Sequence, residues 1–196
     1  MAWAVGGWAA NVPTVLVFGD SLSAGYGLRA EEAWPSLLQQ KLGSAWHVVN
    51  ASVSGETTAG GLTRLPAALA THHPSVVLIE LGANDGLRGL PLDTARANLA
   101  AMIEQTRAAG ARPVLLSLRL PPNFGAAYTT KFAEMYETLA KQYKLPSPPF
   151  LLDHLADKPE LFQPDQLHPI ARAESQVLDN VMVVLGPVLK SVKHGK

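Results

Sequence analysis

The chain has 196 residues, with sixteen Lys and Arg balanced by sixteen Asp and Glu, and it contains no cysteine. Balanced charge with no basic run excludes a nucleic-acid partner, and the missing thiols exclude a disulfide framework and a thiolate metal site while leaving the cellular compartment open. A chain of this length buries one core well, so one domain is expected over residues 13–196, with residues 1–12 as an N-terminal extension.

The opening MAWAVGGWAA is apolar, yet it is too short to span a membrane and lacks the positively charged start of a complete signal peptide. It reads equally as the trimmed end of a leader or as an irregular extension, and no transmembrane segment is expected. TVLVF (14–18) is the first strand, a continuous apolar run suited to burial on both faces. Trp34, Leu37, Leu38 and Leu42 then keep helical spacing, HVVNAS (47–52) forms the second strand, and a helix-like segment leads to His72 and His73. VVLIEL (76–81) is the third strand, followed by a helix on Leu99, Met102, Ile103 and Thr106. PVLLSL (113–118) is the fourth, followed by a helix on Phe132, Met135, Tyr136, Leu139 and Tyr143. The proline-rich LPSPPF (145–150) turns into a fifth strand, PFLLD (149–153), and a last helix carries Val177, Val181, Val184 and Val188. Strands alternating with amphipathic helices imply right-handed βαβ units, hence an α/β fold with a parallel sheet between two helix layers.

In such sheets ligands bind beyond the carboxyl ends of the strands. With strand order 2-1-3-4-5, Ser21 after the first strand, Gly55 after the second and Asn84 after the third meet over one crevice. Asp165 and His168, three residues apart in PDQLHP, follow the last strand. A serine hydroxyl needs a histidine to take its proton and a carboxylate to fix that histidine's tautomer, roles that Ser21, His168 and Asp165 can fill. The backbone N–H groups of Ser21 and Gly55 and the side-chain amide of Asn84 can serve as oxyanion donors. Taken singly, each has a plainer reading: Ser21 as a helix cap, Asn84 as a turn residue, His168 before Pro169 as a helix start. A phosphate-binding loop is disfavoured by Asp20, whose carboxylate stands beside the site. His72, His73 and His154 read as surface residues and Glu80 as a structural, hydrogen-bonded carboxylate, so no metal site is expected.

GDSLSAGYG (19–27), Gly55 in NASVSGETTAGGLTRL, GANDGLRG (82–89) and DQLHP (165–169) stand in the order of the four blocks of the SGNH (GDSL) hydrolase superfamily, and the chain is identified as a member from them. VVNAS, ELGANDGLRGLP and LRLPPNFG resemble the branch of bacterial acyl-CoA thioesterase I, also described as lysophospholipase and arylesterase. The resemblance implies a three-layer αβα flavodoxin-like fold with a five-stranded parallel sheet. It also implies serine hydrolysis of esters and thioesters without cofactor, a small acyl ester, thioester or lipid substrate, a monomer, and export to the periplasm, with the cytoplasm as the alternative. It assigns Ser21 as nucleophile, Gly55 and Asn84 as oxyanion donors, His168 as base and Asp165 as its orienter. Ala83 and Gln166 depart from the branch, which commonly carries glycine at both positions. Leu87, Leu90, Leu120 and Phe124, on segments after the third and fourth strands, are the expected acyl groove. A carbohydrate O-deacetylase of the same superfamily and a non-enzymatic flavodoxin-like binding module are the alternative functions.

Overall fold

The structure is a computed structural model, and residues 12–192 are described; most of the N-terminal extension lies outside them. The strands are β1 (Thr14–Gly19), β2 (His47–Asn50), β3 (Val76–Glu80) and β4 (Arg112–Leu115). The helices are α1 (Ser21–Ala24), α2 (Trp34–Leu42), α3 (Thr58–His72), α4 (Ala83–Leu87), α5 (Leu92–Ala108), α6 (Ala126–Tyr143) and α7 (Glu174–Ser191). Among the described residues the sheet has four strands in the order β2-β1-β3-β4, every pair parallel.

That order fixes the layers. The step from β1 to β2 runs one way across the sheet, and the steps from β2 to β3 and from β3 to β4 run the other. Right-handed crossovers therefore put α2 on one face and α3 and α5 on the opposite one. The helix contacts agree, since α2 packs on α7 while α3 packs on α5 and α5 on α6. Both faces of the central strands are covered, which is why Val15 to Phe18 and Val76 to Ile79 read as unbroken apolar runs and are fully buried. The helical stripes meet them with Trp34 and Leu38 on one side, joined by Val181 and Leu185 of α7. Leu99, Met102, Ile103, Phe132, Tyr136 and Leu139 fill the other side.

The expected fifth strand is not formed. Residues 149–153 reach the sheet beside β4, where Ser117 N–H donates to Pro149 O at 3.0 Å and Leu151 N–H donates to Ser117 O at 3.0 Å, making a single parallel bridge between Ser117 and Phe150. Pro148 and Pro149 have no N–H to extend the ladder backwards, and the chain turns away after Leu151. The segment thus holds the position of a fifth strand, with Leu151 fully buried, without becoming one.

Candidate active site

The carboxyl ends of β1, β3 and β4 open on one edge of the sheet, and each is followed by a segment that turns sharply. After β1, Asp20 caps α1, its Oδ1 accepting the N–H of Leu22 at 3.0 Å. This brace puts Ser21 at the first helical position, where an N–H has no intrahelical partner. Gly25 and Gly27, which follow α1, face the protein. Both have φ near +75°, and a side chain would meet Ala33 at the first and Gln163 at the second.

Ser21 Oγ lies 2.8 Å from His168 Nε2, and His168 Nδ1 lies 2.7 Å from Asp165 Oδ2. With Nδ1–H donated to the carboxylate, Nε2 is left as the acceptor for the serine hydroxyl. The three-residue spacing closes because Gln166 adopts a left-handed conformation, φ +57°, at the position where the related branch commonly has glycine. The other oxygen of Asp165 accepts the N–H groups of Leu167 at 2.9 Å and His168 at 3.1 Å. Partial burial pushes the Asp165 carboxyl up, but the Leu167 N–H, the His168 ring and the His168 N–H outweigh it and hold the group below the ordinary aspartate value.

Asn84 lies in α4, beyond β3, and its amide donates to Asp20 Oδ2 at 3.1 Å and to Glu56 O at 2.9 Å. Both amide hydrogens are therefore engaged, and a third acceptor over Ser21 would have to share one of them. The bond to Glu56 holds the β2 loop one residue from Gly55, whose φ is +79°. The Gly55 carbonyl accepts from Arg88 at 2.9 Å, and Gly55 is not among the residues that line the cavity described below. Gly82 enters α4 at φ +122°, where a Cβ would stand 2.6 Å from the Tyr136 hydroxyl. The glycine of the GAND sequence that the fold requires is thus Gly82, while Ala83 lines the cavity.

Behind Ser21 lies a buried acidic layer. Glu80 Oε2 accepts the Asp20 N–H at 3.2 Å and the Ser23 hydroxyl at 2.7 Å, fitting the structural role expected of this residue. Burial, and then the neighbouring charge of Asp20, push the Glu80 carboxyl well above the ordinary glutamate range. Burial likewise raises Asp20 to about 6, opposed by the Leu22 N–H, the charge of His168 and the Asn84 amide. Asp85 accepts the Thr58 N–H at 2.9 Å and the Thr58 hydroxyl at 2.6 Å, tying the start of α3 to α4.

A cavity of about 480 Å³ opens from Ser21, Asn84 and His168. Of the four expected groove residues, Leu87 and Leu120 line it. Leu90 does not: it follows the left-handed turn at Gly89 and is exposed. Nor does Phe124, because the 3-10 turn Pro122–Phe124 offers its first residue to the cavity and carries Phe124 past it. The far wall was not anticipated. It comes from Phe150, Leu152, Pro159 and Phe162, with Arg119 stacked over the Phe150 ring at 4.4 Å. That segment is mostly irregular, so no hydrophobic period announces it. Sequence reasoning also missed Tyr26, whose ring lies 4.7 Å from that of His168; no local signal marks a contact between residues so distant in the chain. His73 and His154 are exposed and His72 half-buried, and among the described residues no cluster of His, Asp and Glu is placed to hold a metal.

Residues 17–174 match the GDSL-like Lipase/Acylhydrolase family. The chain is 45% identical over 183 residues to the esterase TesA of Pseudomonas aeruginosa, covering 92% of this chain and 91% of that one. It is 43% identical over 181 residues to thioesterase 1/protease 1/lysophospholipase L1 of Escherichia coli, covering 92% and 87%. Its fold superposes on the psychrotrophic esterase EstA of Pseudoalteromonas sp., solved with monoethylphosphonate as inhibitor, with a TM-score of 0.84 at 38% identity, covering 91% of this chain and 99% of that one.

Proposed function

Since the chain belongs to the GDSL-like lipase/acylhydrolase family and is an ester hydrolase, we propose that it cleaves acyl esters and thioesters through an acyl intermediate on Ser21. The observation that carries this reading is the unbroken hydrogen-bonded line from Ser21 Oγ through His168 to Asp165 Oδ2, at 2.8 and 2.7 Å.

As Oγ attacks the substrate carbonyl, its proton passes to His168 Nε2, and Asp165 stabilises the imidazolium that results. The carbonyl oxygen becomes an oxyanion, held by the N–H groups of Ser21 and Gly55 and by the Asn84 amide. When the intermediate collapses, the bond to the alkoxide or thiolate breaks, and the leaving group departs with the proton from Nε2. A water then repeats the sequence: it gives a proton to His168, attacks the acyl carbon, and releases the acid as Ser21 recovers its proton. Beyond substrate and the hydrolytic water, this chemistry uses groups of the chain itself.

Leu22, Leu87, Leu120, Phe150, Leu152 and Phe162 give the cavity an apolar wall, which favours an acyl chain over a sugar. The branch resemblance adds two finer expectations, a monomer and a periplasmic location, which sedimentation and cell fractionation check. No helix among the described residues is long and apolar enough to cross a membrane. The deciding experiment is reaction with a fluorophosphonate, then mass spectrometry, beside kcat/KM for p-nitrophenyl esters from acetyl to decanoyl. A single adduct on Ser21 is expected, with kcat/KM rising with chain length by up to about 0.8 kcal/mol per methylene until the cavity is full. An adduct on another serine removes the nucleophile assignment, and a rate that falls from acetyl upward favours the deacetylase.

A further inference from the structure

Two contacts on the solvent side of His168 have no part in the reaction just described. The Tyr26 ring lies against the imidazole with centroids 4.7 Å apart and planes inclined at 42°, although Tyr26 is itself 53% exposed. Its carbonyl is held by Gln163, whose Nε2 donates to Tyr26 O at 2.7 Å and to Pro169 O at 3.0 Å. The Gln163 backbone N–H donates to His168 O at 2.7 Å, and its carbonyl accepts the N–H of Gln166 at 2.9 Å. One residue thereby joins the segment following the nucleophile helix to the loop that carries the base. The absence of a side chain at Gly27 is what admits it, since a Cβ there would overlap the Gln163 amide.

We propose that Tyr26 and Gln163 are positioning residues for the base. Gln163 fastens the loop bearing Tyr26 to the loop bearing His168, and the Tyr26 ring keeps the imidazole in line between Asp165 and Ser21 while favouring its cationic form as the serine proton arrives. The proposal rests on the Ser21–His168–Asp165 reading. The face of an aromatic ring carries negative potential and attracts a cation placed against it. The groups facing the imidazole are Asp165 from its own loop, Asp20 and Ser21 from the β1–α1 turn, and Tyr26 from the loop after α1. Of these, Tyr26 meets the imidazole with an aromatic ring, not with a hydrogen-bonding or charged group. Left half in water, it contributes little to the core, so its removal should register in catalysis before stability.

The test is kcat, KM and the pH profile of kcat/KM with p-nitrophenyl butyrate for Tyr26→Leu, Tyr26→Phe, Gln163→Met, the Tyr26→Leu/Gln163→Met double variant and Ser21→Ala. Tyr26→Leu should lower kcat about two- to fivefold with KM little changed, and should move the acid limb about half a pH unit lower, because an imidazolium without its aromatic partner forms less readily. Tyr26→Phe, which keeps the ring face, should recover both. Gln163→Met should lower kcat, and the double variant should fall by less than the product of the single effects, since one residue acts through the other. An unmoved acid limb in Tyr26→Leu, a Tyr26→Phe as impaired as Tyr26→Leu, or multiplicative losses would each overturn the proposal. Turnover surviving in Ser21→Ala would instead overturn the underlying reading of the triad.

Discussion

Ser23 donates its hydroxyl hydrogen to Glu80 Oε2 at 2.7 Å in a fully buried pocket directly behind the turn that carries Ser21. The same oxygen takes the N–H of Asp20, and a Cβ at Gly19 would stand 2.5 Å from it. A strand glycine and a buried carboxyl thus make one device that fixes where β1 ends and the turn carrying Ser21 begins.

Because burial, and then the neighbouring charge of Asp20, push the Glu80 carboxyl well above the ordinary glutamate range and so favour its uncharged form, the amide is its close substitute. Glu80→Gln should stay within about 1 kcal/mol of the parent in denaturant unfolding and keep most of its activity. Glu80→Ala strands the Ser23 hydroxyl and the Asp20 N–H and opens a cavity, for an expected loss of about 3–5 kcal/mol. Equal losses in the two variants would show that the carboxylate charge, not its hydrogen bonding, is what the fold uses.

On the proposed oxyanion role, Asn84 would donate to an oxygen that is fully charged only in the transition state, so Asn84→Ala should lower kcat by about a hundred- to a thousandfold with little change in KM. Asn84→Asp should be worse, since a carboxylate offers no donor and would also face Asp20, which now accepts from the amide. Steady-state kinetics beside melting curves check this: a near-normal kcat in Asn84→Asp would reduce Asn84 to a turn residue.

Much of this was legible because parallel-sheet chemistry is local in sequence. Val15 to Phe18 and Val76 to Ile79 are buried on both faces, so they are written as apolar runs, and Asp20, Ser21 and Asn84 follow them at the edge where the cavity opens. Asp165 and His168 are legible for the same reason, being three residues apart. Leu90 and Phe124 were misread because lying on the right loop does not fix where a side chain points. The Gly89 turn and the Pro122–Phe124 turn settle that, and neither has a period. Phe150 and Phe162 were missed because their segment is irregular, and the fifth strand was overcalled because its apolar run hides the missing N–H groups of Pro148 and Pro149.

Glu174 gives the fold a pH dependence of definite sign. Burial raises its carboxyl from the ordinary 4.5 to about 7, against the opposing hydrogen bond from the Trp34 N–H, which reaches Oε2 at 2.7 Å. A group raised in the folded state contributes stability that is fully present below its unfolded value and lost as pH rises through the folded one. Between pH 5 and 8 the protein should therefore lose about 3 kcal/mol through this residue. Glu174→Gln keeps an acceptor for Trp34 and should flatten that slope, being more stable than the parent at pH 8 and indistinguishable at pH 4.5. Unfolding by urea across this range measures it, and parallel curves for the two proteins would refute the assignment.

Gln166 holds a left-handed conformation with an ordinary side chain, at a cost of about 1 kcal/mol. Gln166→Gly should preserve kcat and change stability by less than about 1 kcal/mol, the relief of strain offset by a more flexible unfolded chain. Gln166→Val, β-branched at positive φ, should displace the Asp165–His168 turn and lower kcat at least tenfold while KM changes little. Retained activity in Gln166→Val would mean that the turn does not set the position of the base.

The stretch from Phe150 to His168 supplies both the far wall of the cavity and, within the same run of residues, Asp165 and His168, the proposed carboxylate and base. A graft or deletion that reshapes this wall therefore transmits its strain to the proton-transfer machinery, whereas the wall from Arg119 to Pro122 hangs from β4 and carries no member of the triad. Selection for new chain lengths should find its tolerated changes on the second wall, and chimaeras that exchange residues 119–122 between relatives should inherit a preference without inheriting a slower enzyme.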